Sequence, residues 1–474
     1  MADKKTIFLT GASGNMGGAT LRELLTRSDR FRVKALVLPR DRTHKAISRY
    51  AGHPSLEIVW GDLTQYEDVL AGVNGADQVL HIGGMVSPAA DRYPELTMQV
   101  NVGAARNIVR AIKAQTEPDR VKLVYIGTVA QTGDRPAPIH WGRTGDPIKI
   151  SRFDQYAVSK TIAESIVAES GLKYWVSLRQ TGIGYPSLWK TSDPIVFHTP
   201  LNTVLEWVSV NDAGRLAANT CEDAVPATLW RNFFNIGGGE GMRVVNHELS
   251  AAMSRATRGG DFREIFKPHL FATRNCHGQW YTDSDKLEAL VPFRREVFAD
   301  FVAALSNDVP WYIKLAARLA SEAGRKRIRQ LAEGPGGPLY WLAHNDEAHI
   351  TAYFGSREAW AAIPDWDSFA LIQPSRTPTK LDHGYDETKS MENWTRADLH
   401  QAAQFRGGAC QGNHDHGPHA PASWRCALGH DFEMTPNLML RGGHWCPTCM
   451  LDPASYAEVA TRSPFFNQVW REGE

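Results

Sequence analysis

Short apolar runs alternate with longer stretches of helical periodicity through the first half of the chain. The runs are Thr6-Ile7-Phe8-Leu9, Val33 to Leu38, Leu56 to Trp60, Gln78 to Ile82, Lys122 to Ile126 and Tyr174 to Leu178. Between them, apolar residues recur every three or four positions: Leu21, Leu24 and Leu25 first, then the stretch from Pro94 to Ala114, then Ile162, Ile166 and Val167. Strands alternating with helices at this spacing predict an α/β fold with a parallel sheet wound on both faces. Beyond residue 260 the pattern turns helical. Arg295 to Leu331 reads as helix broken near Pro310, with Val297, Phe301, Leu305, Leu315 and Leu319 on the apolar side. The basic cluster Arg325 to Arg329 reads as a solvated face, and Gly334-Pro335-Gly336-Gly337-Pro338 as a break. Leu339 to Ala362 is helical and aromatic, Pro364 to Lys389 mostly loop, and Trp394 to Phe405 helical again.

The first apolar run leads into Thr10-Gly11-Ala12-Ser13-Gly14-Asn15-Met16-Gly17 and then into the first helix. Gly11 lets the chain leave a strand sharply, Gly14 keeps side-chain atoms away from an approaching pyrophosphate, and Gly17 lets the helix pack close to the sheet. The free N–H groups at the helix start face an anion. Gly11, Ser13, Gly14, Asn15, Met16 and Gly17 are therefore candidate dinucleotide contacts on a Rossmann sheet. The second strand ends in Leu38-Pro39-Arg40-Asp41-Arg42, where cations suit a 2'-phosphate, so Arg40 points to NADP.

Composition narrows the classes. The 474 residues carry 52 basic and 52 acidic side chains, so no overall field recruits nucleic acid or a membrane. The length predicts two or three domains. No run approaches the length of a membrane span and the first residues lack a signal-peptide core, so a cytoplasmic protein without membrane partners is expected. Six cysteines occur, Cys221, Cys276, Cys410, Cys426, Cys446 and Cys449; in a reducing compartment their crowding near the end favours a metal over disulfides.

Tyr156 and Lys160 stand one turn apart on a predicted helix, where an ammonium would favour the phenolate and bring the tyrosine towards neutrality as an acid or base. Together with the glycine turn, Gly61-Asp62-Leu63 at a strand end, and Phe234-Asn235-Ile236-Gly237-Gly238-Gly239, this pair makes residues 5 to 260 resemble the extended short-chain dehydrogenase/reductase family, which includes NAD(P)-dependent epimerases, dehydratases and reductases. The resemblance implies Tyr156 as general acid or base, Lys160 on the nicotinamide ribose, and Thr128 as the hydroxyl partner, placed four residues before Thr132-Gly133. It implies that Asp62 contacts adenine beside Leu63, that His81 begins the segment behind the cofactor, and that Asn101 is structural. Asp212 resembles a helix-capping position. A homodimer paired through the Tyr-Lys helix is a further family expectation. Gly182 stands where nucleotide-sugar enzymes of this type have an asparagine, which favours a small, uncharged carbonyl or alcohol. The stretch from Gly184 to Thr203, with Trp189, Phe197 and His198, is expected to line an apolar substrate pocket.

Near the end, Cys426-Ala427-Leu428-Gly429-His430 and Cys446-Pro447-Thr448-Cys449 supply four ligands for tetrahedral zinc and resemble a zinc-ribbon or treble-clef module. With all four positions filled by protein the zinc is structural, and His444 is an alternative to His430. The run His414-Asp415-His416-Gly417-Pro418-His419 reads as exposed loop, and Cys410 has no assignment. The module lacks the dense basic face of a nucleic-acid binder.

The expected organisation is a dehydrogenase/reductase domain over 1–265 with interleaved substrate region, a mainly helical extension over 266–408 and a zinc module over 409–474. The expected function is an NADP-dependent oxidoreductase using Thr128, Tyr156 and Lys160. Alternatives are an epimerase or dehydratase with transient redox, on a nucleotide sugar for example, and an NADP-sensing protein that acts through its zinc module.

Overall fold

The computed structural model describes residues 4–257, 260–319, 321–412 and 417–471. His414, Asp415 and His416 lie outside the described residues. Seven strands form the central sheet: β1 (Lys5–Thr10), β2 (Phe31–Val37), β3 (Leu56–Trp60), β4 (Gln78–His81), β5 (Lys122–Thr128), β6 (Trp175–Gln180) and β7 (Asn232–Ile236). Their spatial order is β3-β2-β1-β4-β5-β6-β7 and every neighbouring pair is parallel. The order reverses between β1 and β4, and that is where a doubly wound sheet opens a crevice at its carboxyl end. Register aligns Thr10 with His81 and His81 with Tyr125, so the ends of β1, β4 and β5 lie side by side.

Both faces are covered, which is why the strands read as continuous apolar runs. Ile7 and Leu9 face one core with Leu21, Leu24 and Leu216; Phe8 faces the other with Ile108, Ile112 and Val167. On the first face lie α1 (Asn15–Leu25) and, near the end of this domain, the helix Val210–Asn219; a Cβ on Gly214 would sit 2.6 Å from the Ala19 methyl, so small residues set their close approach. On the second face lie α2 (Tyr66–Val73), α3 (Ala104–Lys113) and α4 (Gln155–Ala168). The stretch entering α3 carries a π-helical segment, Met98–Gly103, containing Asn101.

The chain after 265 packs into these cores. Trp280–Tyr281 pairs with Trp141–Gly142, and Leu287, Val291 and Phe293 join the first core. The helices expected between Arg295 and Leu331 form as Phe298–Asp308, Trp311–Leu319 and Ser321–Ala332, with the break at Pro310. The C-terminal segment folds as an antiparallel sheet of β8 (Ala409–Gln411), β9 (Ala422–Arg425) and β10 (Asp431–Met434), followed by short helices. Trp424, Leu438, Met439, Leu440 and Phe466 complete the same core as α3 and α4. No residue of α4 is exposed. The helix face that the family resemblance implies for pairing with a second copy therefore carries the C-terminal module instead. Among the described residues no helix is long and apolar enough to cross a membrane.

Candidate active site and metal centre

The glycine turn adopts the geometry its sequence requires. Gly11 has φ 74°, and a Cβ there would lie 2.7 Å from Gly83 at the end of β4. A Cβ on Gly17 would lie 2.0 Å from the Gly11 carbonyl oxygen, so α1 seats against the turn only with glycine at this position. Gly14 and Asn15 are exposed at the helix start, while Met16 is buried. Thr10 locks the turn to β4: its Oγ1 accepts from Ile82 N (3.1 Å) and Gly83 N (2.9 Å) and lies 3.0 Å from His81 Nδ1. Burial and the nearby Lys160 charge push the His81 pKa down to about 3, so the ring is neutral and accepts the Thr10 proton. His81 is thus a buried strut beneath the crevice.

At the tip of β2, Arg40 is exposed and the Arg42 guanidinium lies over the Trp60 ring at 4.9 Å. Between them, Asp41 accepts from Ser13 Oγ at 2.8 Å, a contact the sequence reading lacked. Asp62 turns its Oδ1 to Thr64 N (2.9 Å) and Thr64 Oγ1 (3.0 Å), and Leu63 packs over Gly83.

The three residues expected to do chemistry converge at the end of β5 and the start of α4. Thr128, the last residue of β5, accepts from Ala130 N at 3.1 Å, and its side chain acts on the Tyr156 phenol. Lys160 Nζ donates to Ile126 O at 2.5 Å and lies 4.4 Å from the Tyr125 ring centre. The electrostatics correct one expectation. Burial pushes the Tyr156 phenol up to about 12, the neighbouring Thr128 side chain pulls against that, and Asp154 adds to the rise. Lys160 is not among the groups that shift the phenol; its Nζ donates to the Ile126 carbonyl, and burial pushes it down to about 7, with Glu164 opposing.

Asn101 is a brace: its amide bonds Met85 on both sides (2.7 and 2.9 Å) and Ser159 Oγ (2.9 Å), tying the segment after β4 to α4. Asp91 Oδ1 accepts from Gln155 N at 3.0 Å and Asp154 Oδ1 from Ala157 N at 2.7 Å, so two carboxylates cap α4. Asp212 accepts from Arg295 N and Glu296 N, fixing the loop that leads into the extension.

The expected lining from Gly184 to Thr203 is spent elsewhere. Phe197 is buried among Phe266 and Phe271, Trp189 donates to Asp308 at 2.8 Å, and His198 lies against Trp341 and Tyr353 with Nε2 2.9 Å from Gly336 O. These aromatics anchor the helical extension. A Cβ on Gly182 would meet the Trp207 ring at 3.0 Å, so a larger residue there would have to displace that ring.

The sequence reading also missed Glu164. It lies one turn beyond Lys160, fully buried in an apolar helical stretch, and an acid at that spacing was the available signal. Burial raises its pKa, but Arg179 and His444 win and hold it well below the usual carboxylate range.

In the C-terminal module, Cys426, His430, Cys446 and Cys449 bring one ligand atom each within 4.8 Å of one another. Gly429, at φ 85°, closes the Cys426–His430 turn. Tetrahedral zinc with bonds of about 2.3 Å to sulfur and about 2.0 Å to nitrogen requires S–S edges of about 3.8 Å and S–N edges of about 3.5 Å. Four of the six edges are 3.8 Å for Cys426–Cys449 and 3.5, 3.3 and 3.5 Å from His430 Nδ1 to Cys426, Cys449 and Cys446, and the other two lie within 4.8 Å. The donor set fits. His444, the alternative ligand, points away to Glu164.

Residues 7–181 match the model of the NAD dependent epimerase/dehydratase family. That segment contains the glycine turn and Thr128, Tyr156 and Lys160. Among curated proteins, the chain is 27% identical over 166 residues to 3 beta-hydroxysteroid dehydrogenase type 7 of Mus musculus, covering 34% of this chain and 44% of that protein. It is 25% identical over 214 residues to 3 beta-hydroxysteroid dehydrogenase/Delta 5-->4-isomerase of Mycobacterium tuberculosis, covering 42% and 51%. The chain thus spans about half the length of the curated relatives it matches. Among solved structures, dTDP-glucose 4,6-dehydratase of Bacillus anthracis in complex with NAD superposes with a TM-score of 0.52 at 15% identity, covering 65% of this chain and 97% of that one. At that identity the superposition speaks for the fold.

Proposed function

We propose that this chain is an NAD(P)-dependent oxidoreductase that interconverts an uncharged carbonyl and its alcohol. The observation that carries the reading is that Thr128 ends β5 where Lys160 of α4 donates to Ile126 O, with Tyr156 one turn before Lys160 on the same helix and the glycine turn across the crevice. Gly11, Ser13, Gly14, Asn15, Met16 and Gly17 would cradle the pyrophosphate, Asp62 and Leu63 the adenine, and Lys160 the nicotinamide ribose, with His81 supporting them from below. The nicotinamide supplies or takes hydride when bound. Tyr156 gives its proton to the carbonyl oxygen in reduction and takes it back in oxidation. The Thr128 hydroxyl, whose oxygen already accepts from Ala130 N, donates to the phenol oxygen and stabilises the phenolate that proton transfer leaves.

NADP is the proposed cofactor, on the strength of Arg40 and Arg42. Asp41 between them is the opposing charge, so comparison of kcat/KM for NADPH and NADH decides the matter. An apolar substrate is supported by Val86, Tyr93, Leu96 and Phe153, exposed on the two segments that Asn101 and Asp91 tie to α4. The named hydroxysteroid dehydrogenases among its relatives make a hydroxysteroid and its ketone the first pair to assay, beside smaller ketones. Trp207 against Gly182 disfavours a nucleotide sugar. We propose zinc at Cys426, His430, Cys446 and Cys449 in a structural role. The test is turnover of such a pair with either nucleotide; the absence of both nucleotide binding and turnover in metal-replete protein would overturn the reading.

A further inference from the structure

Glu164 on α4 joins the end of β5, β6 and the C-terminal module. Its Oε1 accepts from Gln131 Nε2 at 2.9 Å, on the turn that follows Thr128, and from Arg179 Nη2 at 2.8 Å. Its Oε2 accepts from Ser177 Oγ at 2.6 Å and Arg179 Nε at 3.0 Å, both on β6. The carboxylate lies so close to β5 that a Cβ on Gly127 would be 3.2 Å from Oε2. One contact comes from far along the chain: His444 Nε2 stands 2.8 Å from Oε1, with its Nδ1 3.2 Å from Ser165 Oγ on α4. A carboxylate only accepts, so Nε2 carries the hydrogen. Arg179 Nη2 also donates to Gly442 O at 2.6 Å. Glu164, Arg179 and His444 are all fully buried.

We propose that His444 of the C-terminal module is a positioning residue for Lys160, acting through Glu164, so that the module is a working part of the site. This rests on the oxidoreductase reading above. The groups around Lys160 are the Ile126 carbonyl, the Tyr125 ring, His81 and, one turn away in either direction along α4, Tyr156 and Glu164. Glu164 alone among these is anionic, so where its charge sits and how strongly it is shared govern the field at the ammonium. His444 fixes both. It donates to Oε1, and its partner Ser165 anchors it to the same helix that carries Lys160. The metal ligands Cys446 and Cys449 follow His444 directly, so the knuckle that would hold zinc also sets the position of the imidazole.

The experiment titrates NADPH and NADH into full-length, zinc-loaded protein by nucleotide fluorescence on both sides of neutral pH, for the natural chain, His444→Leu and His444→Gln. Zinc content and melting temperature are measured in parallel. A glutamine amide reaches Oε1 and donates; leucine does not. The expected result is cofactor binding weakened about fivefold or more in His444→Leu, with a displaced pH dependence, full zinc content, and recovery in His444→Gln. Natural-type affinity and pH dependence in His444→Leu overturn the proposal. So does equal weakening in both variants that tracks a loss of zinc or of melting temperature, since that is a packing effect. Should His444→Leu not fold, His444→Asn, which stops short of Glu164, takes its place. If the natural protein binds neither nucleotide, the oxidoreductase reading fails and takes this one with it; binding by the natural chain with no change in the variants removes only His444.

Discussion

Lys160 donates to the Ile126 carbonyl oxygen at 2.5 Å, on the strand that ends two residues later in Thr128. This bond holds the ammonium against the sheet, and the burial it imposes pushes the lysine from an ordinary 10.5 down to about 7. An unfolded chain keeps that proton up to about 10.5 while the folded one releases it near 7, so the unfolded state binds more protons between those values. Lys160 therefore contributes a stability that rises with pH from about 7 towards 10.5 and is smallest below 7. Denaturant unfolding in the natural protein and in Lys160→Met should show a steeper rise across the lower part of this window for the natural chain. Parallel pH curves would contradict the placement of the ammonium.

Tyr156→Phe removes the transferable proton and keeps the ring. Turnover should fall by about a hundredfold or more, with nucleotide affinity nearly unchanged because Lys160 and the glycine turn are untouched. Single-turnover kinetics beside a binding titration read the two quantities separately, and retained turnover would remove Tyr156 from the chemistry.

Gly17→Ala places a methyl carbon 2.0 Å from the Gly11 carbonyl oxygen, which is backbone and has little freedom to yield. The helix must shift from the turn, at a cost of about 1–3 kcal/mol. Nucleotide binding should be lost before the fold is. Circular dichroism with a binding titration checks both.

Zinc removal tests the module independently of the chemistry. Purified protein should carry one zinc per chain, and Cys449→Ala should lower both metal content and melting temperature. Trp424, Trp445 and Phe466 pack onto the core shared with α3 and α4, so the loss should spread beyond the module and accelerate proteolysis of the whole chain.

Arg40→Ser should lower kcat/KM for NADPH relative to NADH if the exposed guanidinium meets a 2'-phosphate. Asp41→Asn should move the ratio the opposite way by relieving repulsion. Steady-state kinetics with both nucleotides reads the two ratios, and unchanged ratios would place neither residue at the ribose.

The sheet, the glycine turn, the Tyr156–Lys160 spacing and the four-ligand knuckle were legible in the sequence because each depends on local periodicity or on residues a few positions apart. A strand buried on both faces reads as a short apolar run, a helix brings i and i+4 together, and a tight turn needs glycine where a Cβ would collide. What the sequence could not disclose is which distant surfaces those elements bury against one another. His444 was readable as a ligand and is spent on Glu164, a buried carboxylate on α4 that lies 280 positions away in the chain. Trp189, Phe197 and His198 were readable as a pocket lining and became anchors for an extension with apolar faces of its own. Lys160 was readable as the group that tunes Tyr156, yet its position against Ile126 depends on how α4 lies across β5. Local chemistry is written in spacing; its partners are decided by burial, where every polar group must find another and only the folded chain fixes which one is near.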